Sequence, residues 1–308
     1  MRVSILVHNL NRADDLRRCL RSICKQNHRP LEIVLLDAGS TDGSLDVIDE
    51  YKGAFRECGI EQRFVACSLM GVAASRDLAA SYATGDLLTF LDNDACLELP
   101  ETIARVVEKF SADPRLAAVA FRILDRQEAS IDQSTWVYRR SPKKWASVPF
   151  LTFTFAGAGC CIRADIFASL GGFWKALRYS REEEELGLGI IHAGFWILYS
   201  PDVVVRHFQS PKGRYTIAER RAIELRNGIL VLWRRLPMPV AVLAIVARVS
   251  AMCVKLAVRR EGRPLWLLSS VRGAFSEWRN LHLDRSIISW PSVLRYAALH
   301  CSPSRERK

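Results

Sequence analysis

Short apolar runs alternate with stretches of helical periodicity along the first hundred residues. Val3 to Val7, Leu31 to Leu36, Gln62 to Cys67 and Leu87 to Leu91 read as buried strands, each too short to be a helix by itself. Between them, Arg12 to Lys25 carries Leu16, Leu20 and Ile23 on one face, Thr41-Asp42-Gly43-Ser44 opens a second helix, and Val72 to Tyr82 reads as a third. The alternation predicts an α/β domain with a largely parallel sheet covered on both faces. Pro100 to Ser111 repeats the helical pattern and Leu116 to Ile123 the strand pattern. Residues 125–150 are polar, aromatic and basic without a period, as expected of a long loop beside a site. Cys160 to Arg163 reads as a strand leading into a helix at Ala164 to Leu170, and Arg181 to Ala193 as a helix. Phe195 to Tyr199, a turn at Pro201, and Val203 to His207 complete this half. Beyond it, Tyr215 to Arg235 and Val240 to Val258 are helical in pattern.

The polar residues collect where the predicted strands end. Asn9, Asn11, Asp37 and Asp92-Asn93-Asp94 all follow a strand at its carboxyl end, which is where open α/β sheets bind ligands. Asp92 and Asp94 are spaced i, i+2, so an extended backbone points both carboxylates to one side. That pair calls for a hard divalent cation with oxygen ligands, although Asp-Asn-Asp also suits a turn, and the triplet alone leaves both readings open. Asp37 is either a ligand-facing acid or the cap of the Gly39-Ser40 turn. His207 is a solvated loop residue or a metal ligand.

Four consecutive glutamates, Glu182 to Glu185, start the helix at Arg181. Acids in a first turn are favoured by the helix dipole, which accounts for one or two of them. Four together repel and point to a specific task such as accepting a proton. Trp136, Tyr138 and Trp145 can stack on the flat face of a ligand or cover an apolar patch. Phe155-Ala156-Gly157-Ala158-Gly159 is small enough for a close backbone approach or for tight packing.

Composition adds compartment and charge. The chain has 308 residues, enough for one large or two ordinary domains, and a net charge of +11. Residues 212–308 hold 19 Lys+Arg against 6 Asp+Glu, a net +13, leaving −2 for residues 1–211. A partner for the basic charge is therefore sought at the C-terminal third, and an anionic membrane surface fits it. No nucleic-acid motif accompanies the charge, so nucleic acid is not expected. The longest uncharged run there, Leu236 to Ala247, is 12 residues, short of a bilayer span because Arg248 and Lys255 interrupt the helix. Nine cysteines without a C-x-x-C suggest buried, reduced thiols, and Val3 to Val7 is too short for a signal-peptide core. The expected place is the cytoplasm, peripheral on the inner face of the cytoplasmic membrane. Nothing in the sequence indicates the oligomeric state.

The chain resembles the family 2 glycosyltransferases, whose fold is called GT-A, and among them bacterial rhamnosyltransferase-like members. The opening strand with Asn11-Arg12, the segment Glu32 to Ser44 (EIVLLDAGSTDGS), Gly71 to Gly85 with Arg76, and Leu91-Asp92-Asn93-Asp94 carry the resemblance in order and spacing. It implies a catalytic domain over 1–212, with a nucleotide-binding half (1–99) and an acceptor half (100–212), followed by a basic helical region over 213–308. It further implies an inverting transfer from a nucleotide-diphosphate sugar, with Mg²⁺ or Mn²⁺, to a glycan or lipid-linked glycan of the cell envelope or a polysaccharide. Asn9, Asn11, Asp37, Arg76, Asp92 and Asn93 would bind the nucleotide sugar, Asp37 at the base and Asp92 near the ribose. Asp94 would ligate the cation, and His207 matches a histidine common after this strand. Anchoring the acidic motif on Glu185-Leu186 places the catalytic base at Glu183, with Glu182 the neighbouring alternative. Leu10, Leu69 and Asp77 depart from the family pattern of Tyr, Asn and Asn. The Gln-x-x-Arg-Trp motif of processive synthases does not occur. The rival classes are a nucleotidyltransferase, which would need a Gly-rich loop where His8-Asn9-Leu10-Asn11 stands, and a non-catalytic, membrane-tethered binding module.

Overall fold

The structure, a computed structural model, describes residues 1–126, 130–210, 215–258, 265–280 and 285–301. The chain begins with β1 (Val3–Asn9), α1 (Ala13–Cys24), β2 (Leu31–Asp37), α2 (Ser44–Glu57), β3 (Glu61–Ala66), α3 (Val72–Ser81) and β4 (Leu87–Asp92). It continues through β5 (Ala95–Leu97), α4 (Thr102–Ala112), β6 (Leu116–Asp125), α5 (Pro142–Trp145), β7 (Phe150–Thr152), β8 (Gly159–Arg163), α6 (Ala164–Ser169), α7 (Glu182–His192) and β9 (Trp196–His207). The C-terminal helices are α8 (Ile217–Arg235), α9 (Met238–Val258), α10 (Leu265–Asn280) and α11 (Trp290–Cys301).

The strands form one sheet in the order β3-β2-β1-β4-β8-β6-β9-β5, with β7 paired to β9. Strands β3, β2, β1 and β4 are parallel, as the strand–helix alternation predicts. Their register sets Asn9 beside Asp37 and His8 beside Asp92, so the polar strand ends lie level on one rim. The rest of the sheet is mixed: β8 runs antiparallel between β4 and β6, and β9 is parallel to β6 but antiparallel to β5 and β7. Alternate residues of β1 serve two cores. Val3, Ile5 and Val7 pack with Leu16, Leu20, Phe55, Ile103 and Phe110 on one face. Leu6 joins Phe90, Ala73, Phe167, Leu186 and Ile190 on the other.

Two expectations need correcting. Residues 195–207 are not two strands around a turn but the single strand β9, whose pairing to β6 slips between Phe121 and Arg122. Pro201, Asp202 and Val203 are left out of the pairing there, and Pro201 has no N–H to give the ladder. The short strand β5 was not expected from so brief an apolar segment. It pairs Ala95 with His207 and so carries the end of β9 to the Asp94 turn.

The four C-terminal helices pack on the rest through an apolar cluster that joins Leu177 and Leu188 to Leu225, Ile229, Leu232, Ala241 and Ala274. A capping box between Thr216 and Glu219 starts α8. Helix α9 is continuous, and Met238–Leu256 is long and apolar enough to cross a membrane, with mean hydropathy 1.9 and 11% of it buried. The charge that interrupts it in sequence, Arg248, turns inward: its Nη2 donates to Glu184 Oε1 at 2.9 Å. Gly228 of α8 makes room, since a Cβ there would overlap the Arg248 guanidinium. Val242, Leu243, Val246 and Val254 are left exposed on the same helix.

Candidate active site

Strand β4 ends on Asp92, and Asn93 and Asp94 make the turn into β5, so the turn reading and the carboxylate reading of the triplet coexist. Both oxygens of Asp94 are engaged. Oδ1 faces His207 Nε2 at 3.2 Å, while Oδ2 accepts from Arg12 Nη1 at 3.0 Å and from the Ser210 backbone N–H at 2.9 Å. Burial raises the Asp94 pKa, but the hydrogen bond and charge of His207, with Arg12 beside it, outweigh this and hold it at about 2. Burial pulls His207 the other way, yet its bonds to Asp132 and Asp94 push it up to about 10. One carboxylate oxygen each from Asp92 and Asp94 and a ring nitrogen of His207 lie within 4.8 Å of one another. Two hard oxygens and an imidazole are a donor set that fits a divalent cation such as Mn²⁺, and Mg²⁺ through the oxygens.

Asn9 and Asp37 sit deeper than the rim. The Asp37 carboxylate accepts from the Gly39 and Ser40 backbone N–H groups at 3.1 and 2.8 Å and from Ser40 Oγ at 2.7 Å. Asn9 Nδ2 donates to Asp37 at 3.0 Å, and Asn9 Oδ1 accepts from Asn93 Nδ2 at 2.6 Å. This buried chain ties the ends of β1, β2 and β4 together and fixes the position of Asn93. Asn11, in the left-handed region at φ 51, accepts from the Thr41 N–H at 2.7 Å and braces the same turn.

Arg76, from the first turns of α3, crosses the floor of the site. Its Nη2 donates to Asp92 at 3.1 Å, and its Nη1 donates to Glu182 and Glu183 at 3.1 Å each. What approaches the glycine-rich segment closely is this guanidinium, because a Cβ on Gly157 would overlap it. Burial lowers the Arg76 pKa, but Asp92, Glu183 and Glu182 raise it further, so the cation persists. Glu182 is the less fortunate partner. Burial and the charge of Glu183 push it up to about 8 against the pull of Arg76, and its Oε2 is buried without a hydrogen bond.

The four glutamates divide by helical position. Glu182 and Glu183 turn toward Arg76, whereas Glu184 and Glu185 are used by the C-terminal helices. Glu184 pairs with Arg181 and Arg248, and against its burial those two cations hold it at about 2. Glu185 pairs with Arg234 at 3.0 Å and Arg235 at 2.7 Å. Part of the basic charge of residues 212–308 is thus consumed inside the protein.

A cavity of about 1750 Å³ opens over these groups, lined among others by Asn11, Arg76, Asp92, Asn93, Asp94, Glu182, Glu183 and His207. Asn9 and Asp37 are not part of its lining. Leu10 and Leu69 are, and Asp77 instead pairs with Lys175 at 2.7 Å. Trp136 lines the cavity and also packs edge-on against Tyr138 and Tyr199, at 4.9 and 5.6 Å between centroids. Tyr138 and Trp145 pack on Phe150, which is the covering role. The adjacent thiols Cys160 and Cys161 are buried and free, and burial raises both pKa values, Cys161 to about 12. Sequence reasoning gave Arg12 no role in the site and missed Asp132 altogether. Arg12 adjoins a motif residue and was legible; Asp132 lies in the aperiodic loop and carried no signal.

The sequence profile of glycosyl transferase family 2 matches residues 4–171, more than half of the chain. The chain belongs to glycosyl transferase family 2. An uncharacterized glycosyltransferase of Nostoc sp. is 34% identical over 136 residues, 44% of this chain and 41% of that protein. The chain therefore spans less than half the length of that relative. Among solved structures, a mannosyltransferase from Pyrobaculum calidifontis in complex with GDP-Man and Mn²⁺ superposes with TM-score 0.58 and 17% identity, over 96% of this chain and 83% of that one. GalNAc-T7 with UDP, GalNAc and Mn²⁺ gives TM-score 0.60 and 20% identity over 75% of this chain and 48% of that one. At these identities the likeness shows the shared fold, which is the GT-A fold expected of the family.

Proposed function

We propose that this family 2 member is a metal-dependent, inverting glycosyltransferase that moves a sugar from a nucleotide-diphosphate sugar to an acceptor hydroxyl. The observation that carries the reading is the convergence on one cavity of two charge systems: Asp92, Asp94 and His207 on one wall, and Glu183 beside the Arg76 guanidinium on the other. Asp94 and His207 would hold Mg²⁺ or Mn²⁺ with Asp92 nearby, and the bound cation would neutralise charge on the diphosphate leaving group. Asn11, Arg76, Asp92 and Asn93 would contact the donor. Asn9 and Asp37 act behind them, with Asp37 reaching the base through the turn that it braces. Glu183 accepts the acceptor's hydroxyl proton as that oxygen attacks the anomeric carbon and the bond to the diphosphate breaks. Its side chain keeps 16% exposure against 2% for Glu182, and burial with the charge of Glu183 favours the neutral form of Glu182, which makes it the poorer proton acceptor. The GDP-Man and Mn²⁺ of the Pyrobaculum neighbour support the donor and cation classes. Incubation with a panel of nucleotide sugars, with and without Mn²⁺, should give Mn²⁺-dependent transfer or donor hydrolysis; a chain inert toward every donor would be a binding module instead.

The division into a catalytic domain over 1–212 and a basic helical region over 213–308 belongs to the same proposal. So does an acceptor that is a glycan or lipid-linked glycan of the cell envelope, met at the inner face of the cytoplasmic membrane. Supporting this are Leu243, Val246, Val254, Leu268, Phe275, Trp290 and Leu294, all exposed on α9, α10 and α11, with Lys255, Arg272 and Arg279 exposed among them. Apolar and cationic side chains together suit an anionic interface. The chain is expected to sediment with anionic lipid vesicles and not with neutral ones; equal recovery from both would remove the electrostatic part of the reading.

A further inference from the structure

The cation reading leaves one buried acid unused. Asp132 is fully buried and accepts four hydrogen bonds. Oδ1 takes the Ser134 N–H at 2.8 Å, Ser134 Oγ at 2.7 Å and Gln209 Nε2 at 2.7 Å. Oδ2 is reserved for His207 Nδ1, at 2.6 Å. A carboxylate can only accept there, so Nδ1 carries a hydrogen and the ring is oriented with Nε2 toward Asp94. Carboxylates behind a ligating histidine commonly fix ring and tautomer in this way. Asp132 is itself anchored: its N–H donates to Ile123 O of β6 at 3.0 Å, and the preceding Ile131 bridges Leu124. The residues that follow, Ser134, Thr135, Trp136, Val137 and Arg139, line the cavity.

We propose that Asp132 is a positioning residue that aims His207 at the cation and couples filling of the cation site to the order of the acceptor segment 130–139. The inference rests on the cation reading. When Nε2 is drawn to a cation, the ring's other nitrogen pulls on Asp132, and through Ser134 on the start of the segment that faces the acceptor. A merely structural Asp132 would hold the loop without affecting metal affinity. The role assigned here moves both.

The test uses the full chain and Mn²⁺ alone, then Mn²⁺ with GDP or UDP, with free Mn²⁺ followed by electron paramagnetic resonance. Asp132→Ala should bind Mn²⁺ roughly 10- to 100-fold more weakly than the wild type. Asp132→Asn should fall between, because its amide oxygen still accepts from Nδ1–H but carries no charge. Hydrogen exchange over residues 130–139 should slow on Mn²⁺ addition in the wild type, and should not respond in Asp132→Ala or His207→Ala. If Asp132→Ala does not fold, the Asn variant decides. Wild-type Mn²⁺ affinity in a folded Asp132 variant, or exchange over 130–139 indifferent to Mn²⁺ in the wild type, overturns the coupling while leaving the cation reading in place. A wild-type chain that takes up no Mn²⁺ overturns both.

Discussion

Asp94→Ala should lower sugar transfer by about a thousandfold or more at saturating Mn²⁺. Loss of one group that stabilises developing charge typically costs on the order of 10²–10³ in turnover, and here the same substitution also removes a cation ligand whose Lewis-acid contribution is several kcal/mol. The substitution reaches beyond the cation, since Asp94 also gathers Arg12, His207 and the Ser210 N–H. Asp94→Asn separates these effects. It keeps an oxygen for Ser210 and the shape of the turn but removes the charge that His207 and Arg12 pair with, so it should be nearly as inactive and should unfold at a lower temperature than the wild type, though with its native circular dichroism kept. Rates would be measured with whichever donor the panel identifies, alongside circular dichroism. Wild-type turnover in either variant would remove Asp94 from the cation site. Asp92→Ala should lose less, because Asp92 is the more open of the two acids and Arg76 retains Glu182 and Glu183 as partners.

The rim of the site was legible because neighbouring parallel strands of similar length that start level also end level. Once Val3 to Val7, Leu31 to Leu36 and Leu87 to Leu91 are read as neighbours, Asn9, Asp37 and Asp92 must share an edge, and the register of β1 with β2 and β4 brings this about. Side-chain direction was not legible. Asp37 spends its carboxylate on Ser40 and Asn9, a pattern that depends on how tightly the Gly39-Ser40 turn closes. Nor did the sequence reveal that Glu184 and Glu185 belong to the C-terminal helices, because their partners Arg234, Arg235 and Arg248 lie 49 to 64 residues away. Charge counting saw +13 in that third of the chain and looked outward for all of it. The buried pairs explain part of it, and they also show why Arg248 does not prevent α9 from being a continuous apolar helix. Asp132 was invisible for the same reason, standing 75 residues from His207 in a stretch with no period.

The acidic run is where the sequence and the structure have to be used together. Family register points to Glu183, and geometry separates it from Glu182 by burial and protonation. Glu183→Gln should therefore reduce turnover by about 10²–10⁴, the usual contribution of a positioned general base, with nucleotide affinity largely kept because the amide oxygen still accepts from Arg76. Glu182→Gln should be mild. Burial and the neighbouring charge of Glu183 favour the neutral form of Glu182, so an amide of the same shape changes little in charge. The two variants also differ in their response to pH. Glu182 has its pKa raised above the ordinary 4.5, so its buried neutral form becomes a charge as pH rises through about 8. The wild type should lose stability progressively from about pH 4.5 to about 8, where the unfolded chain is ionised while the folded chain still holds the proton, and level off above that. Glu182→Gln should not show that loss. Thermal unfolding at pH 6 and pH 9 checks it, and rates at pH 7 for both variants assign the base. A Glu182→Gln enzyme that is inactive beside an active Glu183→Gln enzyme would move the base by one residue, and with it the face from which the acceptor hydroxyl must approach.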